Sequence, residues 1–163
     1  MLQIAFRAPI PIIRQWIRDH WLDADLVESE RSVLKKSNAD LTEQEQLNLH
    51  WYLEALWALA WAGGLIDRLP FDQPVGNNLA SLCPNLQRNE DGLQFTRRIR
   101  LRPHAELFGM LDLYYRLHWW TRNAQLHGRP TGNVSIDIIM ERRKALERVL
   151  DARHDWDNVE MST

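Results

Sequence analysis

Glu54 and Arg116 each stand in the most apolar stretch of a helical segment, where a charge is out of place. An unpaired charge buried there costs several kcal/mol or titrates away, so each must find a partner. Asp112 lies one turn before Arg116, and His50 one turn before Glu54, at the i, i+4 spacing that brings helix side chains together. Arg142 or Arg143 must also fall on an inward stripe, between Ile139 and Leu146. In one reading these groups form a structural ion network that locks helix packing. In the other, Glu54 is an acid or base with a raised pKa beside His118, Tyr115 or Asp112, and Arg116 holds a small anionic substrate. The catalytic candidates are then Glu54, Asp112, Arg116 and His118. Arg116, Arg142, Arg143, Trp119 and Trp120 are the candidate ligand-binding residues. Trp119 and Trp120 point about 100° apart on a helix, so they cannot share a face; one is expected in the core and one at a cleft or interface.

Other chemistries find little support. The histidines at 20, 50, 104, 118, 127 and 154 include no i, i+4 pair, so no metal site is expected. Cys83 sits between Leu82 and Pro84 without a basic neighbour to activate a thiolate. Gly63-Gly64 ends a helix instead of opening one, which denies it the N-terminus that would hold a phosphate. No cofactor is implied. Arg97, Arg98, Arg100 and Arg102 make either a solvated face or a patch for an anion or an acidic protein. The net charge is -2, and the run has no interleaved aromatic platform, so nucleic acid is not expected.

These residues must be positioned by helices. The chain of 163 residues suits one domain over 1–163, and 45% hydrophobic with 26% charged residues is globular composition. A single cysteine fits a reducing compartment. No basic segment precedes an apolar run at the N-terminus, and the unbroken apolar run Ala55–Ile66 is shorter than the ~20 residues a membrane span needs. A cytoplasmic location is expected. Pro9 and Pro11 open a short helix with Ile12, Ile13, Trp16 and Ile17 on one face, and a second helix spans about 24–36. Thr42 and Glu45 form a capping box for a helix running to about Ala62, with Gly63-Gly64 as its left-handed exit. That helix is apolar on nearly every side. Residues 67–102 are irregular, with one helical turn near 78–82 and helix or coil over 93–101. Pro103 opens a second core helix to about Leu126, and Ser135 caps a last one to about Leu150. Trp156 is expected to dock the tail. The fold class is all-α: a single compact domain of five or six helices around two buried core helices, 43–62 and 103–126.

Leu53-Glu-Ala-Leu-Trp-Ala-Leu-Ala-Trp-Ala-Gly-Gly-Leu65, Leu101-Arg-Pro with Leu111-Asp-Leu-Tyr-Tyr-Arg-Leu-His-Trp119, Glu141-Arg-Arg-Lys-Ala-Leu146 and Trp156-Asp-Asn-Val159 occur in an order that resembles the bacterial family called domain of unknown function 4272. The similarity covers about residues 25–160. It implies a helical intracellular bacterial protein and carries no known activity. The family usually has an Arg just ahead of the Glu-Ala-Leu run, where this chain has Trp51-Tyr52-Leu53, so Glu54 must find its partner elsewhere. The expected function is a non-catalytic binding or protein-interaction module, with neutralisation of an effector protein as one version. The alternative is an enzyme with a buried carboxylate/arginine site acting on a small anionic substrate. A protein partner, a small anionic ligand, or a homodimer built on exposed Trp and Leu of the first two helices are the candidate associations; neither nucleic acid nor membrane is expected.

Overall fold

The computed structural model describes residues 1–151, 156–159, 161 and 162, without the side chains of Leu2 and Gln3. Helices and turns account for its regular structure, with no strand among the described residues. The α-helices are α1 (Leu2–Ala5), α2 (Ile10–Asp19), α3 (Glu28–Leu34), α4 (Glu43–Ala62), α5 (Leu79–Leu82), α6 (Leu93–Arg98), α7 (His104–Leu126) and α8 (Ile136–Leu150). Single 3-10 turns lie at Asp23–Asp25, Asn38–Asp40, Leu86–Arg88 and Trp156–Asn158. Two compact units can be distinguished: Met1–Leu53 with Asn77–Ile99, and Glu54–Gly76 with Arg100–Thr163.

In the first unit Ile10, Ile13 and Ile17 recur at helical spacing and are buried with Ile4, Leu34 and Leu49. Ile12, expected on that face, points to solvent, and Trp16 is half-buried with its Nε1–H donating to the Glu90 carbonyl (3.0 Å). The α2 N-terminus has no cap from Pro9, so Asn38 supplies one: its Oδ1 accepts from Ile10 N (2.9 Å) while its Nδ2 donates to Ala8 O (2.9 Å). The expected helix over 24–36 is interrupted, because Leu26 and Val27 are extended between a 3-10 turn and α3. Thr42 and Glu45 do form the capping box. Glu45 N donates to Thr42 Oγ1 (3.2 Å), and Thr42 N donates to Glu45 Oε2 (2.9 Å). Lys36 Nζ, 2.6 Å from Glu45, and then the Thr42 N–H hold the Glu45 carboxyl down to about 2.

The second unit holds the last part of α4 together with α7 and α8. From Trp51 to Ala62 every residue of α4 is buried or half-buried, as its all-round apolar composition requires. The small stripe Ala55, Ala58 and Ala62 has almost no exposed surface. The helix ends in a Schellman arrangement, with Leu65 N donating to Ala60 O (2.8 Å) and Gly64 N to Trp61 O (3.0 Å). Gly64 sits at φ +70°, and a Cβ there would lie 2.8 Å from the Arg100 carbonyl oxygen.

α7 departs from the expected core helix. Its buried side is a single stripe, Leu107, Tyr114, His118, Thr121 and Ala124, and it packs against α8. Phe108, Tyr115, Trp119, Trp120 and Leu126 are all exposed instead. Apolar composition shows what a helix can bury; the number of neighbouring elements decides how much it does. Ser135 likewise makes no side-chain cap on α8. Trp156 is half-buried, with Lys144 Nζ 5.4 Å from its ring centroid.

Candidate functional site

Two adjacent arginines on α8 gather the charges of the second unit. Arg142 and Arg143 lie between Ile139 and Leu146 on the inward stripe, and both are buried. At about 100° per residue they diverge, and each builds a separate cluster.

Arg142 is the partner of Glu54. Its Nε (2.9 Å) and Nη2 (2.6 Å) both donate to Glu54 Oε2. Nη2 also donates to the Gln73 carbonyl (2.9 Å), while Nη1 donates to the Pro70 carbonyl (2.6 Å) and the Tyr114 hydroxyl (3.1 Å). Glu54 Oε1 accepts from Val75 N (2.9 Å), and the Tyr114 hydroxyl donates to Leu69 O (3.4 Å). Burial pushes the Tyr114 phenol above its usual pKa, against the opposing pull of Arg142. The pair thus has the accompanying hydrogen bonds that make a buried ion pair tolerable, and it fixes the backbone of 69–75. His50, proposed as the partner, is exposed.

Arg143 forms the second cluster. Its Nη1 approaches His118 Nδ1 (2.8 Å), its Nε donates to Glu147 Oε1 (3.2 Å) and its Nη2 to the Ser162 carbonyl (3.1 Å). The guanidinium also lies 4.6 Å from the centre of the Tyr115 ring. A guanidinium only donates, so Nδ1 accepts and the proton of the neutral imidazole sits on Nε2. That nitrogen is buried and has no hydrogen-bond partner among the described residues. Burial first, then the charges of Arg143 and Arg122, lower the His118 pKa. Beside this cluster is an open cavity of about 300 Å³ between Tyr115, Arg143, Glu147, Arg148 and Asp151. Its two guanidiniums are matched by two carboxylates, and Arg143 already directs all three of its nitrogens to His118, Glu147 and Ser162, so it presents no strong field for an anion.

The remaining sequence candidates lie apart from these clusters. Arg116 does pair with Asp112 (2.8 Å), but its side chain is 75% exposed instead of buried. Arg116 and His118 project about 160° apart on α7, so the proposed set of Glu54, Arg116 and His118 does not converge. Trp119 and Trp120 are both exposed and line neither cluster. Of the arginine run, Arg97 and Arg98 close α6 and are exposed, as is Arg100. Arg102 turns inward to the C-terminus of α4. It donates to the carbonyls of Trp61 (2.8 Å) and Ile66 (2.9 Å), and its guanidinium lies 4.7 Å from the Trp61 ring centroid. It is a helix cap and not part of a surface patch.

Burial raises the Cys83 pKa, which does not favour a thiolate. Among the described residues no group of His, Cys, Asp or Glu could hold a metal ion, and no helix is long and apolar enough to cross a membrane. His154 lies outside the described residues. The role of Tyr114 and of the carbonyls of residues 69–73 had no signal in the sequence, since nothing local links them to α8.

No curated protein and no solved structure matches the chain. A family model described as domain of unknown function (DUF4272) matches residues 2–159. With the match running nearly the whole length, the chain belongs to the DUF4272 family.

Proposed function

We propose that the chain is a non-catalytic binding module that recognises protein in the bacterial cytoplasm, with neutralisation of an effector protein as a concrete version. The observation that carries this is the exposed aromatic face of α7. Phe108 (59% exposed), Tyr115 (43%), Trp119 (55%) and Leu126 (76%) project within about 40° of one another. Aromatic side chains of this size are enriched in recognition surfaces, and a contiguous exposed patch marks a place where something binds. The buried clusters favour the same conclusion. Glu54, the best acid or base by position, accepts from Arg142 and Val75 at its two oxygens, as a structural carboxylate does.

A photo-crosslinking amino acid at position 108, compared with the same group at exposed Asp137 on α8, tests the proposal in the producing cell. An adduct of defined mass formed at 108 and not at 137 is the expected result. Equal labelling at both positions, or none at 108, would overturn it.

A further inference from the structure

The exposed face of α7 has a register. Phe108, Asp112, Tyr115, Trp119, Arg122 and Leu126 follow one another at spacings of four, three, four, three and four residues, the alternation of a coiled-coil seam. The spacing reads the same from either end. The chemistry does too, once a carboxylate is matched with a guanidinium: apolar, acidic, aromatic, then aromatic, basic, apolar. A helix laid antiparallel on a copy of itself, with the twofold axis crossing the seam at the level of residue 117, sets Phe108 against Leu126, Tyr115 against Trp119 and Asp112 against Arg122 of the second copy.

We propose that this face binds a second copy of the chain, forming an isologous antiparallel α7 pair. The proposal rests on the interaction reading of the face and names its partner. A twofold contact requires a self-complementary surface, and this stripe is one. The charged positions also choose the orientation. A parallel pairing would set Asp112 against Asp112 and Arg122 against Arg122, whereas the antiparallel one pairs opposite charges twice. Both groups have capacity for the bond. Asp112 uses Oδ2 to accept from Arg116 Nε (2.8 Å), which leaves Oδ1 for the second copy. Arg122 is exposed and has no ion-pair partner among the described residues.

The apolar area is modest. With rings carrying about 150–250 Å² each, the exposed parts of the six aromatic side chains and two leucines across the pair come to roughly 900 Å². Stable interfaces begin near about 1,200 Å², so the dimer forms reversibly and its population follows concentration.

Sedimentation equilibrium of the full chain from about 1 µM to about 1 mM, with circular dichroism to verify folding, tests this. The wild type should move from monomer to dimer across the range. Asp112→Arg and Arg122→Asp should each weaken the dimer at least about tenfold, and the double exchange D112R/R122D should restore it. Trp119→Ser should abolish it, while Trp21→Ser should not. A wild type that stays monomeric at every concentration overturns the proposal, as does a dimer lost in W21S and indifferent to the charge exchanges. A crosslinked adduct at position 108 with a different protein would remove the self-pairing and keep the interaction reading; a monomer with no adduct would remove both.

Discussion

Arg142 Nη2 lies 2.6 Å from Glu54 Oε2, with both side chains buried and the two residues 88 positions apart in the chain. Removing one member of such a pair leaves an uncompensated charge, which costs about 3–5 kcal/mol. Glu54→Gln should therefore lower stability by about that much in urea or thermal unfolding, and Arg142→Met similarly. The double variant E54M/R142M should recover part of the loss, because neither charge remains. A Glu54→Gln protein that melts higher than the wild type would instead mark a strained functional carboxylate.

His118 makes stability depend on pH on the acid side of neutral. Burial and the arginines hold its folded pKa below the ordinary 6.5. The unfolded chain then takes up the proton first as pH falls. The contribution of the neutral buried ring is fully present above about pH 6.5 and is lost as pH drops toward the lowered folded value. His118→Asn keeps an acceptor for Arg143 without a titrating group. Unfolding free energy measured between pH 7.5 and 5 should fall less steeply in H118N than in the wild type; identical slopes would exclude His118 as the cause.

Gly64→Ala should destabilise the chain by about 1–3 kcal/mol. The positive φ disfavours a side chain, and the added carbon would press on the Arg100 carbonyl 2.8 Å away. Alanine at Gly128, also at positive φ but with nothing near its Cβ position, should cost about 1 kcal/mol, from conformation alone. Denaturation midpoints of the two variants separate steric from conformational strain.

Arg102 caps α4 through carbonyls that no point charge on a flexible stem can reach together. Arg102→Lys should accordingly cost about 1–2 kcal/mol, close to the loss in Arg102→Ala. Full rescue by lysine would mean that only the charge matters at the helix end.

How much of this could be read from the sequence depended on whether the determinants were local. The capping box at Thr42 and Glu45, the glycine exit of α4 and the all-round burial of its stretch from Trp51 to Ala62 all follow from neighbouring residues, and all appear in the structure. Arg142 and Arg143 could be placed inward because Ile139 and Leu146, on either side at helical spacing, are themselves buried. The same logic failed for Arg116, whose neighbours Leu113 and Trp120 are apolar yet exposed. The buried stripe of α7 packs on α8, and how many helices would surround α7 was not encoded in its own pattern. Tyr114 became legible only when the fold brought it to Arg142, 28 residues away.

The segment from Ile66 to Val75 contains no helix or strand, and in most proteins such a stretch is where a protease cuts first. Here its backbone is gripped by side chains from elsewhere in the second unit: Arg102 takes the carbonyls of Ile66 and Asp67, Tyr114 that of Leu69, Arg142 those of Pro70 and Gln73, and Glu54 the amide of Val75. A protease must draw slack chain into its cleft, and the grip denies it that slack. Cleavage within this coil thus waits on breaking the Glu54–Arg142 bond, which turns a shapeless stretch of chain into a gauge of whether the core beneath it is intact.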